Sequence, residues 1–138
     1  MNGIEWIVEA HGCVPETLSD LATLRALFDQ IIDDLQLRPV GETQWHQFPR
    51  TGGITGLCLL SESHLACHTF PEFQSLCLNL FCCVPRREWD FQAHLARMFG
   101  ASSVTVRSVL RPYVSSTDSS ANLGDTVVRD LAAGSEIR

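Results

Sequence analysis

The chain has 138 residues, 45% of them apolar and 19% charged, with a formal net charge of -6. That length fits one domain, and a chain of this size buries about two-thirds of its unfolded surface, so no disulfide framework is needed. All ten basic residues are arginine, which excludes a lysine Schiff base to pyridoxal phosphate, a lysine nucleophile and a phosphate loop ending in Gly-Lys-Ser/Thr.

The acidic balance and scattered arginines leave no basic stripe for a nucleic acid. No run of eighteen apolar residues marks a membrane span. The start, Met1-Asn2-Gly3-Ile4-Glu5, lacks the basic and apolar regions of a signal peptide. Cysteines 13, 58, 67, 77, 82 and 83 mostly sit in apolar runs, which suits buried free thiols of a cytoplasmic protein.

In chain order, residues 4–13 read as a strand closed by Gly12 and Pro15. A helix follows over 19–36, with Ser19 as its cap and Leu21, Leu24, Leu27, Phe28, Ile31, Ile32 and Leu35 as its apolar stripe. Residues 40–48 alternate as a strand, and residues 49–53 form a turn. Residues 54–61, 65–70 and 74–83 read as three strands whose short links favour antiparallel pairing. A second helix spans 87–99 and ends at Gly100. Residues 103–111 alternate as the last strand. Residues 1–114 thus form the domain and 115–138 a serine-rich tail, within which 126–132 has the makings of a short helix. The order β-α-β-β-β-β-α-β predicts an α+β two-layer sandwich, an antiparallel sheet with helices on one face. The apolar content suggests that the other face meets a second sheet, giving a four-layer αββα dimer.

Chemistry concentrates in residues 53–83. Ser61, Ser63, His64, His68, Thr69, Cys82 and Cys83 stand at strand ends or in turns, where buried polar groups need partners. A metal site on His64 and His68 is one reading, but adjacent cysteines on a strand face opposite ways and no Cys-x-x-Cys pair exists. Nucleophilic catalysis by Ser63 or Cys83 with His68 as base is another, without a Gly-x-Ser-x-Gly elbow to support it. Ordinary core histidine and apolar cysteine is the third.

The runs Gly53-Ile54-Thr55-Gly56, Leu60-Ser61-Glu62-Ser63-His64-Leu65, His68-Thr69-Phe70-Pro71-Glu72 and Leu80-Phe81-Cys82-Cys83 resemble the small prokaryotic S-adenosylmethionine decarboxylase proenzymes. The resemblance covers most of residues 3–111. It implies a chain that cleaves itself at Glu62–Ser63 into a β-chain of 1–62 and an α-chain of 63–138, Ser63 becoming a pyruvoyl group. It further implies that Ser63 is held in a strained, buried turn, that Thr55 steadies the cyclic intermediate, and that His68 removes the Ser63 α-proton. Cys83 is then the proton donor of the decarboxylation, and Cys82 is core filling.

The same resemblance implies a small-molecule substrate, S-adenosylmethionine, feeding spermidine synthesis; the expected partner is a second copy of the chain, with no nucleic acid and no membrane. Phe48, Phe70 and Trp45 are candidates to stack on an adenine, and Glu9 or Glu72 to hold a ribose or a cation. Four positions depart from the family pattern: Thr55 stands for serine, Phe70 for tryptophan, Asn79 for aspartate and Val84 for glycine. Ornithine or arginine as substrate, or an unprocessed homologue without activity, are the alternatives.

Overall fold

The computed structural model describes residues 2–114 and 126–132. Seven strands form one sheet: β1 (Asn2–His11), β2 (Gln44–Gln47), β3 (Ile54–Leu60), β4 (Ser63–Phe70), β5 (Ser75–Cys82), β6 (Ser103–Pro112) and β7 (Val127–Ala132). Every neighbouring pair is antiparallel, in the order β2-β3-β4-β5-β1-β6-β7. Three helices accompany it, α1 (Pro15–Leu18), α2 (Leu21–Asp34) and α3 (Phe91–Phe99), with a 3-10 turn at Pro71–Phe73. This is the α+β architecture that the element order predicts.

Side chains alternate across a strand, and here the alternation sorts core from open surface. Trp6, Val8 and Ala10 of β1, Leu65 and Cys67 of β4, and Leu76, Leu78 and Leu80 of β5 are buried. They share one cluster with Leu24, Leu27, Phe28 and Ile31 of α2 and Phe91, Leu95 and Phe99 of α3. Each large apolar side chain so buried contributes about 1.5–3 kcal/mol. The alternate residues, among them Glu5, Glu9, Thr55, Leu57, Leu59, His64 and His68, are half-buried or exposed. The sheet therefore has a helix-covered face and an open face.

Several boundaries differ from the sequence expectation. Asp20, not Ser19, is the N-cap of α2, and its carboxylate accepts from the Thr23 hydroxyl at 2.7 Å. The second long helix starts at Phe91 rather than residue 87, because Asp90 caps it by accepting from the Ala93 amide at 3.1 Å. Gly100 ends it at φ 68°, a left-handed conformation that glycine takes without strain.

The expected short helix at 126–132 is instead the seventh strand, paired with β6 from Ser103↔Ala132 to Ser108↔Val127. Its Val127-Val128 pair is β-branched, and the outer edge of β6 offers an unpaired ladder that a strand satisfies and a two-turn helix does not. Thr105 donates to Asp130 across this pair, and Arg129 pairs with Glu88. The rest of the predicted tail, 115–125 and 133–138, lies outside the described residues.

Candidate active site

The bond between Glu62 and Ser63 sits at the tip of the β3–β4 hairpin, where Leu60 pairs with Ser63 across a two-residue turn. Ser61 and Glu62 are exposed and Ser63 is half-buried. None of the three has positive φ, so the expected strained, buried turn is an exposed hairpin with ordinary backbone. What holds it is hydrogen bonding. The Cys83 amide donates to the Glu62 carbonyl at 2.7 Å, and the Ser61 amide donates to the Arg38 carbonyl at 2.8 Å. The Glu62 carbonyl is the one that a Ser63 hydroxyl attacks in an acyl shift, and an amide donor on it favours the oxyanion that forms.

Ser63 faces the helix side of the sheet, directly opposite Cys82 in the β4–β5 register. Burial pushes the Cys82 thiol up to about 11, while the positive charge of Arg86 and a hydrogen bond with Ser63 act the other way. Cys82 is 1% exposed and is part of the core, as expected, whereas Cys83 is exposed. Val84, in place of the family glycine, has no positive φ, so its backbone makes no demand that glycine alone meets.

Thr55 and His68 are brought together. They are cross-strand partners on β3 and β4, with Thr55 Oγ1 and His68 Nδ1 3.0 Å apart. They line a cleft of about 340 Å³ with Phe48, Phe70 and Glu72. Five predicted site residues, two of them the substrate aromatics Phe48 and Phe70, thus share one place. Gly53 lets β3 approach β4 closely beside the cleft: a Cβ there would stand 2.6 Å from the Thr69 carbonyl oxygen. Thr69 itself is buried, donating to the Leu18 carbonyl at 2.7 Å and accepting from the Ile54 amide at 2.8 Å, so its hydroxyl is structural.

The two groups are not together in one chain. Ser63 and His68 are five residues apart on one strand, which puts them on opposite faces and about 16 Å apart along it. Glu9 lies further round the open face, in the row Thr55, His68, Cys77, Glu9, and its carboxylate is paired with Arg107. It does not line the Phe48–Phe70 cleft. Trp45 packs on Phe28 with ring centroids 4.7 Å apart and covers Gly56, and it does not line the Phe48–Phe70 cleft.

Sequence reasoning left Asn79 without a role. Its amide nitrogen donates to Glu5 Oε1 at 2.7 Å, and its oxygen lies 3.2 Å from His64 Nε2. An aspartate there would set two carboxylates against each other; the amide donates instead. Arg111 completes the group by pairing with Glu5 and lying over the Phe81 ring, 5.6 Å from its centroid. Among the described residues, no three His, Cys, Asp or Glu side chains converge as metal ligands. Among the described residues, no helix is long and apolar enough to cross a membrane.

Comparison with known proteins shows the family of the chain. Residues 4–112 match the family model described as S-adenosylmethionine decarboxylase. A relative from Carboxydothermus hydrogenoformans, named S-adenosylmethionine decarboxylase proenzyme, is 30% identical over 106 residues, covering 76% of this chain and 82% of its own. One of the same name from Caldicellulosiruptor saccharolyticus is 32% identical over 109 residues, 76% of this chain and 84% of its own. An Archaeoglobus fulgidus protein of that name is 32% identical over 77 residues, 56% of this chain and 67% of its own. The chain belongs to the S-adenosylmethionine decarboxylase family.

Proposed function

We propose that this protein is a self-processing, pyruvoyl-dependent decarboxylase whose substrate is S-adenosylmethionine, making the aminopropyl donor for spermidine synthesis in the cytoplasm. The observation that carries the reading is the hydrogen bond from the Cys83 amide to the Glu62 carbonyl, on the bond where the family resemblance puts cleavage. The donor set fits a serine-derived pyruvoyl group. The Ser63 hydroxyl adjoins its own preceding carbonyl, that carbonyl has its N–H donor, and the exposed Cys83 thiol is next in line. When formed, the group supplies a carbonyl that holds the substrate amine and takes up the electrons left as CO₂ departs.

The chain's own residues do the rest. Cys83 returns a proton to the substrate carbon, which suits a thiol. Phe48 and Phe70 offer aromatic surface, and the Glu72 carboxylate offers a partner for the sulfonium charge. His68, held by Thr55, serves as the base for the Ser63 α-proton. Because these two stand about 16 Å from Ser63 along the strand, that role requires a second copy of the chain. A two-fold axis running across the strands lays the His68 end of one open face over the Ser63 end of the other. The exposed Leu57 (49%) and Leu59 (60%) on that face suit burial against a partner sheet.

The test of substrate is CO₂ release from carboxyl-labelled S-adenosylmethionine, ornithine and arginine in parallel. Release from S-adenosylmethionine alone is expected. Release from either amino acid and none from S-adenosylmethionine contradicts the assignment, and no release from a cleaved protein with any of the three contradicts the decarboxylase reading.

A further inference from the structure

The hairpin tip that carries the Glu62–Ser63 bond is gripped by two loops, and each brings an arginine to it. On one side, the Arg38 carbonyl accepts from the Ser61 amide at 2.8 Å and from the Ser61 hydroxyl at 3.4 Å. On the other, the Cys83 amide donates to the Glu62 carbonyl at 2.7 Å, and Arg86 follows three residues later. Arg38 and Arg86 line one cleft of about 240 Å³ together with Ser61, Glu62 and Ser63.

Arg107, Arg111 and Arg129 each have a carboxylate partner. Among the described residues, Arg38 and Arg86 have none within 4.0 Å, although the Glu62 side chain lines the same cleft. The cleft therefore holds two cations against the single carboxylate of Glu62, which leaves one positive charge uncompensated beside the intact peptide bond. Cleavage of that bond creates the missing anion.

We propose that Arg38 and Arg86 form a receptor for the α-carboxylate that self-cleavage creates at Glu62, stabilising it as it leaves and then holding the new chain end. This rests on the self-processing reading above. In the first step the Ser63 Oγ adds to the Glu62 carbonyl carbon and the C–N bond breaks, giving an ester and a free Ser63 amine. In the second, a base takes the Ser63 α-proton, the Cβ–Oγ bond breaks, and Glu62 departs as a carboxylate from a dehydroalanine. One water then converts that end to the pyruvoyl group and releases ammonia. The lasting negative charge arises in the second step, on the two oxygens of Glu62. Guanidinium groups bind that planar oxygen pair by charge-assisted hydrogen bonds. The arginine pair thus favours elimination over the acyl shift.

The test compares the wild-type protein with Arg38→Gln, Arg86→Gln and the double variant by intact mass over time. Aliquots are treated with neutral hydroxylamine, which splits an ester and leaves a peptide bond. Expected is cleavage slowed about 10- to 100-fold in the double variant. Its uncleaved chain should then be split by hydroxylamine into a 1–62 hydroxamate and a 63–138 chain that begins with serine. Arg86→Lys should recover part of the rate. Thermal melting monitors folding, and if the double variant loses its transition, the single glutamine variants decide on the same readout. A folded variant that cleaves at the wild-type rate with no hydroxylamine-sensitive chain overturns the receptor and leaves self-processing standing. A wild-type chain that never cleaves overturns both.

Discussion

The backbone amide of Cys83 points at the Glu62 carbonyl and donates to it at 2.7 Å. The thiol of the same residue is exposed. One residue thereby offers two separable groups, an amide for the proposed processing reaction and a thiol for the proposed decarboxylation.

These two groups separate on mutation. Cys83→Ala keeps the amide, so it cleaves at close to the wild-type rate while CO₂ release falls about 10²–10⁴-fold, the usual worth of a positioned proton donor. Cys83→Pro removes the N–H and stays uncleaved. Intact mass and CO₂ release read the two effects independently; cleavage of the proline variant at the wild-type rate would contradict the role given to the amide.

The Thr55–His68 pair yields a second prediction. Thr55→Ser keeps the hydroxyl that lies 3.0 Å from His68 Nδ1 and cleaves normally, whereas Thr55→Val slows cleavage and His68→Ala slows it about 10²–10⁴-fold. Because Ser63 and His68 of one chain stand about 16 Å apart along the strand, co-expression of Ser63→Ala chains with His68→Ala chains restores cleavage of the latter. Absence of rescue in demonstrated mixed dimers would show that the site is not shared between copies.

That separation of Ser63 from His68 was legible in the sequence, since five residues along a strand is an odd step; a motif read as a string hides it. The two long helices and the buried side of each strand follow from hydrophobic period, as the even positions Trp6, Val8 and Ala10 illustrate, and the antiparallel ladder follows from the short links. Two things did not follow. The strand Val127–Ala132 depends on an open β6 edge that only the assembled sheet provides. The meeting of Arg38 and Arg86 depends on two loops closing on one hairpin, for which no local pattern exists.

Acid should loosen the contact between α2 and α3. Trp89 donates to Asp34 at 2.7 Å, and His94 stacks on Trp89 with centroids 4.1 Å apart. Burial, and then the charge of Arg97, hold His94 below its ordinary 6.5. The unfolded chain therefore takes up that proton first, and stability falls as pH drops through 6.5 and below. Asp34 is lowered from 3.8, chiefly by the Trp89 hydrogen bond, so its contribution is present above 3.8 and lost as pH falls through its folded value. Melting temperature measured from about pH 7 to about pH 5 should fall in the wild type and fall less in His94→Gln. Equal slopes would remove His94 as the cause.

Gly56 is a packing prediction. A Cβ there would stand 2.3 Å from the Trp45 ring, and Trp45 in turn packs on Phe28. Gly56→Ala should cost about 1–3 kcal/mol through this overpacking, measured by denaturant unfolding. A variant as stable as wild type would mean that β2 yields without cost.

The most direct measurement is the intact mass of the purified protein beside its Ser63→Ala variant. Self-processing requires two chains from the wild type, ending at Glu62 and starting at residue 63, the second lighter than a serine-started chain by the mass of ammonia. Ser63→Ala should remain one chain. A wild-type protein that persists as a single 138-residue chain, or an alanine variant that still splits after Glu62, would contradict the assignment of Ser63 as the source of the pyruvoyl group.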